Sequence, residues 1–140
     1  MHNERCRNCK VIIKSLLEAR FSVVKANYDL GRSARLEEYA GTEVHEHLAR
    51  IHRALQAHRG YDNFVRRPKL APVDFYIPER NLIVEVDESQ HFTAPRRIAL
   101  SHYPKTYQFG FSTERWIRLC SELNKKDNSP PFRDEQRAWY

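Results

Sequence analysis

Residues 73–87, Val-Asp-Phe-Tyr-Ile-Pro-Glu-Arg-Asn-Leu-Ile-Val-Glu-Val-Asp, constrain the fold more than any other stretch of this chain. They predict a β-hairpin, because two runs of alternating apolar and polar residues flank a four-residue turn at 78–81. In that register three facing pairs are apolar and lie on one face: Val73 with Val86, Phe75 with Val84, and Ile77 with Leu82. We therefore expect one face of the hairpin to cover a core.

The opposite face of this hairpin carries acidic side chains. The same register places Asp74 directly opposite Glu85, with Asp87 two residues further along that face. Facing residues on paired strands have β-carbons about 5 Å apart, and like charges at that separation repel. Two carboxylates are rarely set opposite each other without a cation between them, so the pattern predicts a divalent-metal site.

The net charge of +6 over 140 residues comes largely from one basic strip. Residues 50–70 contain six Lys or Arg side chains and a single acid, Asp62. Such a strip favours a polyanion, and nucleic acid is the commonest one, although a solvated helix face followed by a charged loop has the same composition. The candidate phosphate-binding residues, in this strip and in a predicted helix after the hairpin, are Arg50, Arg53, Arg66, Arg67, Lys69, Arg96 and Arg97.

Composition excludes several other classes of protein. Apolar content of 41% and charged content of 30% are those of an ordinary globular domain with a core of its own. No apolar run approaches a membrane span, and the first five residues do not resemble a secretory signal, so we expect a cytoplasmic protein without a membrane partner. Three cysteines argue against a disulfide framework: Cys6 and Cys9 are predicted to be free thiols, with half of a zinc site as the alternative, and Cys120 a core residue.

Outside the hairpin, apolar spacing predicts four main helices. These cover residues 9–20, Thr42 to Gly60, 93–103 and 112–123, with Thr42 and Thr93 as N-caps and Gly60 as the terminator. Short strands are predicted at 21–25 and 107–111, an extended segment at 61–67, and a last helical pattern at 133–140. We expect one domain, with a helical extension over 1–40, a core over 42–111 and C-terminal helices over 112–140.

The helical pattern at 133–140 ends on two aromatic residues, Trp139 and Tyr140. Rings in an amphipathic segment need a covering surface. We expect that surface to come from a homodimer or another protein partner, or from further residues of a longer parent chain.

The acids of the hairpin and the order of elements from Thr42 onward resemble the PD-(D/E)xK, or restriction-endonuclease-like, nuclease superfamily. Ala71-Pro72-Val73-Asp74 takes the place of the first half of its motif, and Glu85-Val86-Asp87 the place of Glu-x-Lys. The sequence of residues 73–91 is most similar to a branch of this superfamily that is related to the very-short-patch mismatch repair endonucleases. The resemblance covers residues 42–111 and implies an α/β fold, with a central mixed four-stranded sheet flanked by helices in the order α-β-β-β-α-β.

The resemblance also implies a metal-dependent endonuclease that hydrolyses phosphodiester bonds in nucleic acid, with DNA as the expected substrate. Asp74 and Glu85 would hold Mg²⁺ or Mn²⁺, ions that prefer hard oxygen ligands. Glu43 matches an acid that many members carry in the first turn of the helix before the sheet, and it is either an additional ligand or an acid that stabilises the helix dipole.

This chain departs from the superfamily's pattern at one position, because Asp87 stands where the lysine is expected. Asp87 is then either a third ligand or an outer-shell base. Gln90 and His91 follow where the strand leaves the sheet, and they are the best substitutes for the missing cation or base.

Two other hypotheses compete with the enzyme. The missing lysine favours a catalytically inactive nuclease-like fold that binds nucleic acid or a protein partner. In the other, the hairpin acids are structural, each bonded to backbone or to an arginine. A metal site requires the carboxyl oxygens of Asp74 and Glu85 to converge within reach of one ion.

Overall fold

The computed structural model describes residues 8–60, 65 and 67–123. Over these residues the chain has a mixed α/β structure with one three-stranded antiparallel sheet and four α-helices. They form two compact units. The sheet unit comprises residues 8–32 and 69–89, and the helical unit comprises the described residues of 33–68 and 90–123.

The sheet unit is built around a central strand with an antiparallel neighbour on each side. Its elements are helix α1 (Cys9–Glu18) and strands β1 (Lys25–Tyr28), β2 (Val73–Ile77) and β3 (Leu82–Val84). Strand β2 is central, in the order β1-β2-β3. Two of the acids predicted to bind metal lie in this unit at the hairpin, Asp74 on β2 and Glu85 directly after β3.

The predicted hairpin is confirmed, and so is its register over residues 75–77 and 82–84; the predicted pairs of Val73 with Val86 and of Asp74 with Glu85 are not part of the ladder. Phe75 pairs with Val84 and Ile77 with Leu82. The turn is a short 3-10 helix over Pro78–Arg80, and Asn81 after it has a φ of 46°. Asparagine visits this left-handed region more readily than most residues because its short polar side chain forms local hydrogen bonds. Here the Asn81 side-chain oxygen accepts one from the Tyr76 hydroxyl at 3.0 Å.

The predicted apolar face is buried on β2 but not on β3. Val73, Phe75 and Ile77 are only 7%, 3% and 0% exposed, whereas Leu82 is 40% exposed. Among the described strands β2 has a neighbour on each side and β3 has one. Alternation therefore predicts correctly which face of the central strand is buried, but it does not distinguish a central strand from an edge strand.

The sheet itself differs from the predicted one: the described residues form three strands rather than four, and the sheet is wholly antiparallel rather than mixed. The second neighbour of β2, besides β3, is β1. It starts at Lys25, where the predicted strand over 21–25 ends. Residues 107–111 form no strand. The predicted order α-β-β-β-α-β is therefore not seen. Residues 61–64 and 66 of the predicted extended segment lie outside the described residues, as does the helical pattern at 133–140 with Trp139 and Tyr140.

Aromatic packing explains why residues 107–111 alternate without forming a strand. The Phe109 ring lies 5.1 Å from the Tyr103 ring, and the Phe111 ring lies 5.4 Å from the Trp116 ring. A loop whose rings pack against other aromatic rings gives the same alternation as a strand. The pattern alone does not separate the two.

The helical unit holds three α-helices and a small core. The helices are α2 (His45–Arg59), α3 (Ala94–Ser101) and α4 (Thr113–Glu122); α2 packs against α3, and α3 packs against α4. Phe92, Leu100 and Cys120 are buried together, with Trp116, Leu119 and Leu123 packed around them. The apolar stripe predicted on α4 is therefore confirmed.

The helix ends match the predictions in two cases and not in a third. Thr93 caps α3, because its hydroxyl oxygen accepts the Arg96 N–H at 3.4 Å, and Gly60 ends α2 with a φ of 76°. Thr42 does not cap α2. Its hydroxyl instead donates to the Tyr39 carbonyl at 2.7 Å, and the helix begins at His45 without a side-chain cap.

The predictions for the cysteines are wrong at Cys9 and confirmed at Cys120. Cys9 is disulfide-bonded, so the predicted free thiol there is wrong. An odd number of cysteines excludes a framework in which every cysteine is paired, but it still allows one disulfide. Cys6 lies outside the described residues. Cys120 carries no disulfide and is 1% exposed, as expected of a core residue.

None of the helices in the described ranges is long and apolar enough to cross a membrane.

Candidate functional site

The structure brings Asp74 and Glu85 together at the open end of the hairpin. Asp74 is the second residue of β2, and Glu85 follows directly after β3. The Asp74 backbone N–H donates to Glu85 Oε2 at 3.3 Å, while Asp74 Oδ2 accepts the Val86 backbone N–H at 2.9 Å. Each acid is thus bonded across the hairpin to the backbone of the opposite chain segment.

These two bonds explain how the strand pairing ends. Main-chain pairing stops at Val84, and beyond it the carboxylates of Asp74 and Glu85 accept amide protons. Short acidic side chains compete with the backbone for such protons. The predicted facing geometry of the acids is therefore present, but side chains rather than a continued ladder form it.

Lys10 on α1 brings a cation to this site. Its ammonium group donates to Asp74 Oδ1, so both carboxylate oxygens of Asp74 have hydrogen-bond donors. The Asp74 side chain is 13% exposed and that of Lys10 is 53% exposed. Sequence reasoning missed Lys10, because 64 positions separate it from Asp74 and no local pattern links them.

The pKa of the Glu85 carboxyl is raised above its ordinary value of 4.5. Partial burial of the carboxyl group is the largest cause; the hydrogen bond from the Asp74 amide acts in the opposite direction, and the negative charges of Asp74 and Asp87 add to the increase. Glu85 as a whole residue is exposed, so it is the carboxyl end, turned toward Asp74, that loses water. The Asp74 carboxylate lies close enough to Glu85 for its charge to disfavour the charged form of Glu85.

The donor chemistry of this pair fits a hard divalent ion. Mg²⁺ usually binds through one or two carboxylates, keeps several waters and takes its remaining ligands from substrate phosphate. Within residues 8–60, 65 and 67–123, no group of three or more His, Cys, Asp or Glu residues is close enough to hold one ion. The predicted ligand set of Asp74, Glu85, Asp87 and Glu43 is therefore not assembled as one cluster.

The remaining predicted catalytic residues are divided between the units. Asp87 lies three residues after β3, is half-buried and belongs to the sheet unit. Gln90 and His91 end a short 3-10 helix (Ser89–His91) and belong to the helical unit. Glu43 also belongs to the helical unit, as an exposed residue in the turn before α2 rather than in the first helical turn.

Most of the predicted phosphate-binding residues lie in the helical unit. Arg50 and Arg53 are exposed on α2, and Arg50 donates a hydrogen bond to the His47 ring. On α3, Arg97 is exposed and Arg96 is half-buried. Two further exposed residues, Arg67 and Lys69, belong to the helical and sheet units respectively, and Arg66 lies outside the described residues.

An aromatic pair, also missed by sequence reasoning, lies beside the acids in the sheet unit. The rings of Tyr28 and Tyr76 stack with centroids 4.9 Å apart and planes 12° apart, and the Lys25 ammonium lies 4.7 Å from the Tyr28 centroid. Tyr76 is two residues from Asp74 on β2, and therefore on the same face. Asn27, with a φ of 48°, bends β1 just before Tyr28.

Comparison with protein-family models, curated proteins and solved structures found no match to this chain. The resemblance to the nuclease superfamily therefore depends on the hairpin residues, because the predicted order of elements is not seen in the described residues.

Proposed function

We propose that this chain is a metal-dependent endonuclease that hydrolyses phosphodiester bonds in DNA, with Asp74 and Glu85 as the ligands of Mg²⁺ or Mn²⁺. The observation that supports this proposal is the convergence of the two carboxyl groups at the open end of the hairpin. Partial burial of the Glu85 carboxyl, together with repulsion from the nearby charge of Asp74, raises its pKa. A divalent cation relieves that repulsion.

The chain's own residues have separate tasks in this proposal. A divalent ion, if bound, would polarise the scissile phosphate and make a water molecule more acidic. Asp74 and Glu85 would hold that ion, and the backbone amides of Asp74 and Val86 hold the two carboxylates in place. Asp87, whose charge acts on Glu85, is the residue assigned to accept a proton from the attacking water. Gln90 and His91 keep their predicted roles as hypotheses.

The arginines of the helical unit supply affinity for the nucleic acid backbone. Arg50 and Arg53 on α2, with Arg96 and Arg97 on α3, lie on two helices that pack together. Arginine contacts to phosphate position a nucleic acid without reading its sequence. The proposal therefore includes no sequence specificity.

A second candidate function, binding of nucleic acid or a protein partner without cleavage, is favoured by the bonding of Asp74. Both oxygens of Asp74 already accept hydrogen bonds, one from Lys10 and one from the Val86 amide. Such an acid is stable without a metal ion. The same bonds agree with the hypothesis that the hairpin acids are structural.

The test is a cleavage assay with Asp74→Asn. Purified chain is incubated with single- and double-stranded DNA and RNA in Mg²⁺, Mn²⁺ or EDTA. We expect metal-dependent cleavage that Asp74→Asn reduces by at least about 100-fold, because a metal ion contributes several kcal/mol to the transition state. Glu79→Gln, which removes a carboxylate from the exposed turn of the same hairpin, is the matched control and should cleave normally.

Two results would contradict the endonuclease. Binding of nucleic acid without cleavage under either metal favours the second candidate. Equal cleavage by Asp74→Asn and the parent chain, with circular dichroism showing the same fold, means that the hairpin acids are structural.

A further inference from the structure

We infer that Lys10 is an internal counter-ion that a divalent metal ion must displace from Asp74, so that helix α1 limits metal binding at the hairpin. This inference rests on the proposed metal site. It assigns a regulatory role to a residue outside the predicted catalytic set.

The bonding of Asp74 determines which contact a metal ion has to break. Asp74 Oδ2 accepts the Val86 amide, whose position is set by the hairpin backbone. Asp74 Oδ1 accepts the Lys10 ammonium, which is carried by a flexible side chain that is 53% exposed. The ammonium can move into water without a change of backbone, whereas the amide cannot, so a metal ion that binds Asp74 replaces Lys10.

Helix α1 makes few apolar contacts, so displacing Lys10 from Asp74 costs little free energy of packing. None of its residues is buried, and Val11, Ile12 and Leu16 are 64%, 55% and 67% exposed. Little apolar contact therefore holds the helix, although the disulfide at Cys9 restrains its first turn, so it is the Lys10 side chain that moves. The ammonium and a divalent ion also repel each other, so the two do not share Asp74.

The same helix provides a matched control. Lys14, one turn after Lys10, pairs with Glu18 within α1 rather than with the hairpin. Removing the charge of Lys14 changes the net charge of the chain as much as removing that of Lys10. Only the Lys10 substitution removes a competitor at Asp74.

The experiment is calorimetric titration of the full chain with MnCl₂. Lys10→Met keeps the length of the side chain without its charge, and we expect it to bind Mn²⁺ about five-fold more tightly, the scale of one exposed ion pair. Lys14→Met should bind like the parent chain. Lys10→Arg, which keeps the ion pair, should bind no more tightly than the parent chain. Asp74→Asn identifies the site by losing the binding heat, and circular dichroism confirms that each variant is folded.

The possible failures can be told apart. If Lys10→Met binds Mn²⁺ equally or more weakly than the parent chain, Lys10 does not compete with the metal, and only this inference falls. Equal tightening in Lys10→Met and Lys14→Met indicates a general charge effect and overturns it too. If neither the parent chain nor any Lys10 variant binds Mn²⁺, the proposed metal site falls and the inference falls with it.

Discussion

At the scale of single residues, the carboxyl group of Glu85 carries an electrostatic cost. Its pKa is raised because the group is partly buried and lies near Asp74 and Asp87. The folded state therefore holds the proton of Glu85 more tightly than the unfolded chain does. The stabilising contribution of that proton is present below the ordinary value of 4.5 and is lost as the pH rises through the folded-state pKa.

Glu85→Gln tests whether the charged carboxyl group of Glu85 destabilises the folded state. Glutamine keeps an oxygen that can accept the Asp74 N–H, and it is neutral at every pH. Without metal, we expect the variant to melt a few degrees higher than the parent chain near pH 7, and the difference to disappear as the pH falls below about 4.5. Thermal unfolding followed by circular dichroism from pH 4 to 8 measures it.

The control for this prediction is Glu79→Gln, which removes the same charge from the exposed hairpin turn. A constant difference across the pH range would contradict the raised pKa of Glu85. So would a Glu79→Gln profile identical to that of Glu85→Gln.

At the scale of secondary-structure elements, local signals in the sequence predict several boundaries correctly. The cap at Thr93, the glycine at position 60 and the apolar stripe of α4 each depend on residues within a few positions of one another. The start of α2 was predicted wrongly because the Thr42 hydroxyl has a competing acceptor, the Tyr39 carbonyl, three residues back. A cap residue indicates that a helix is near, and the neighbouring carbonyls decide whether it is used.

Gly60→Ala is a prediction at this scale. Gly60 has a φ of 76°, and its amide donates to the Gln56 carbonyl at 2.9 Å to close α2. A β-carbon there meets no atom within 4 Å, so its cost is conformational only. We expect a loss of about 1 kcal/mol in the free energy of unfolding, measured by urea denaturation.

Gly110→Ala is the matched control, because that position also has open space around a β-carbon and no positive φ. It should change stability little. Equal losses for the two substitutions would show that the left-handed conformation at Gly60 is not the cause.

At the scale of the whole molecule, the net charge of +6 favours association with a polyanion, and in the proposed function the exposed arginines of α2 would contact it. Such binding releases counterions, so it weakens as salt concentration rises. Each phosphate contact that is lost should reduce the slope of log affinity against log salt by about one.

We expect Arg50→Ala and Arg53→Ala each to weaken binding to labelled duplex DNA and to reduce the slope of log affinity against log salt. Fluorescence anisotropy measures the binding, in EDTA so that metal-dependent cleavage is prevented. Arg80→Ala, at an exposed position in the hairpin turn, removes the same charge and should leave the slope unchanged. If all three variants behave alike, α2 is not the binding surface.

The sequence by itself determined the hairpin, its register over residues 75–77 and 82–84, and the closeness of Asp74 to Glu85, because the period of two along a strand and the residues of a short turn are local properties. It also determined the apolar stripe of α4. Only the tertiary structure decided that β1 rather than residues 107–111 extends the sheet, that Leu82 is exposed, and that Lys10 meets Asp74. These outcomes depend on which surfaces meet after folding, and contacts between residues far apart in the chain leave no periodic pattern in the sequence.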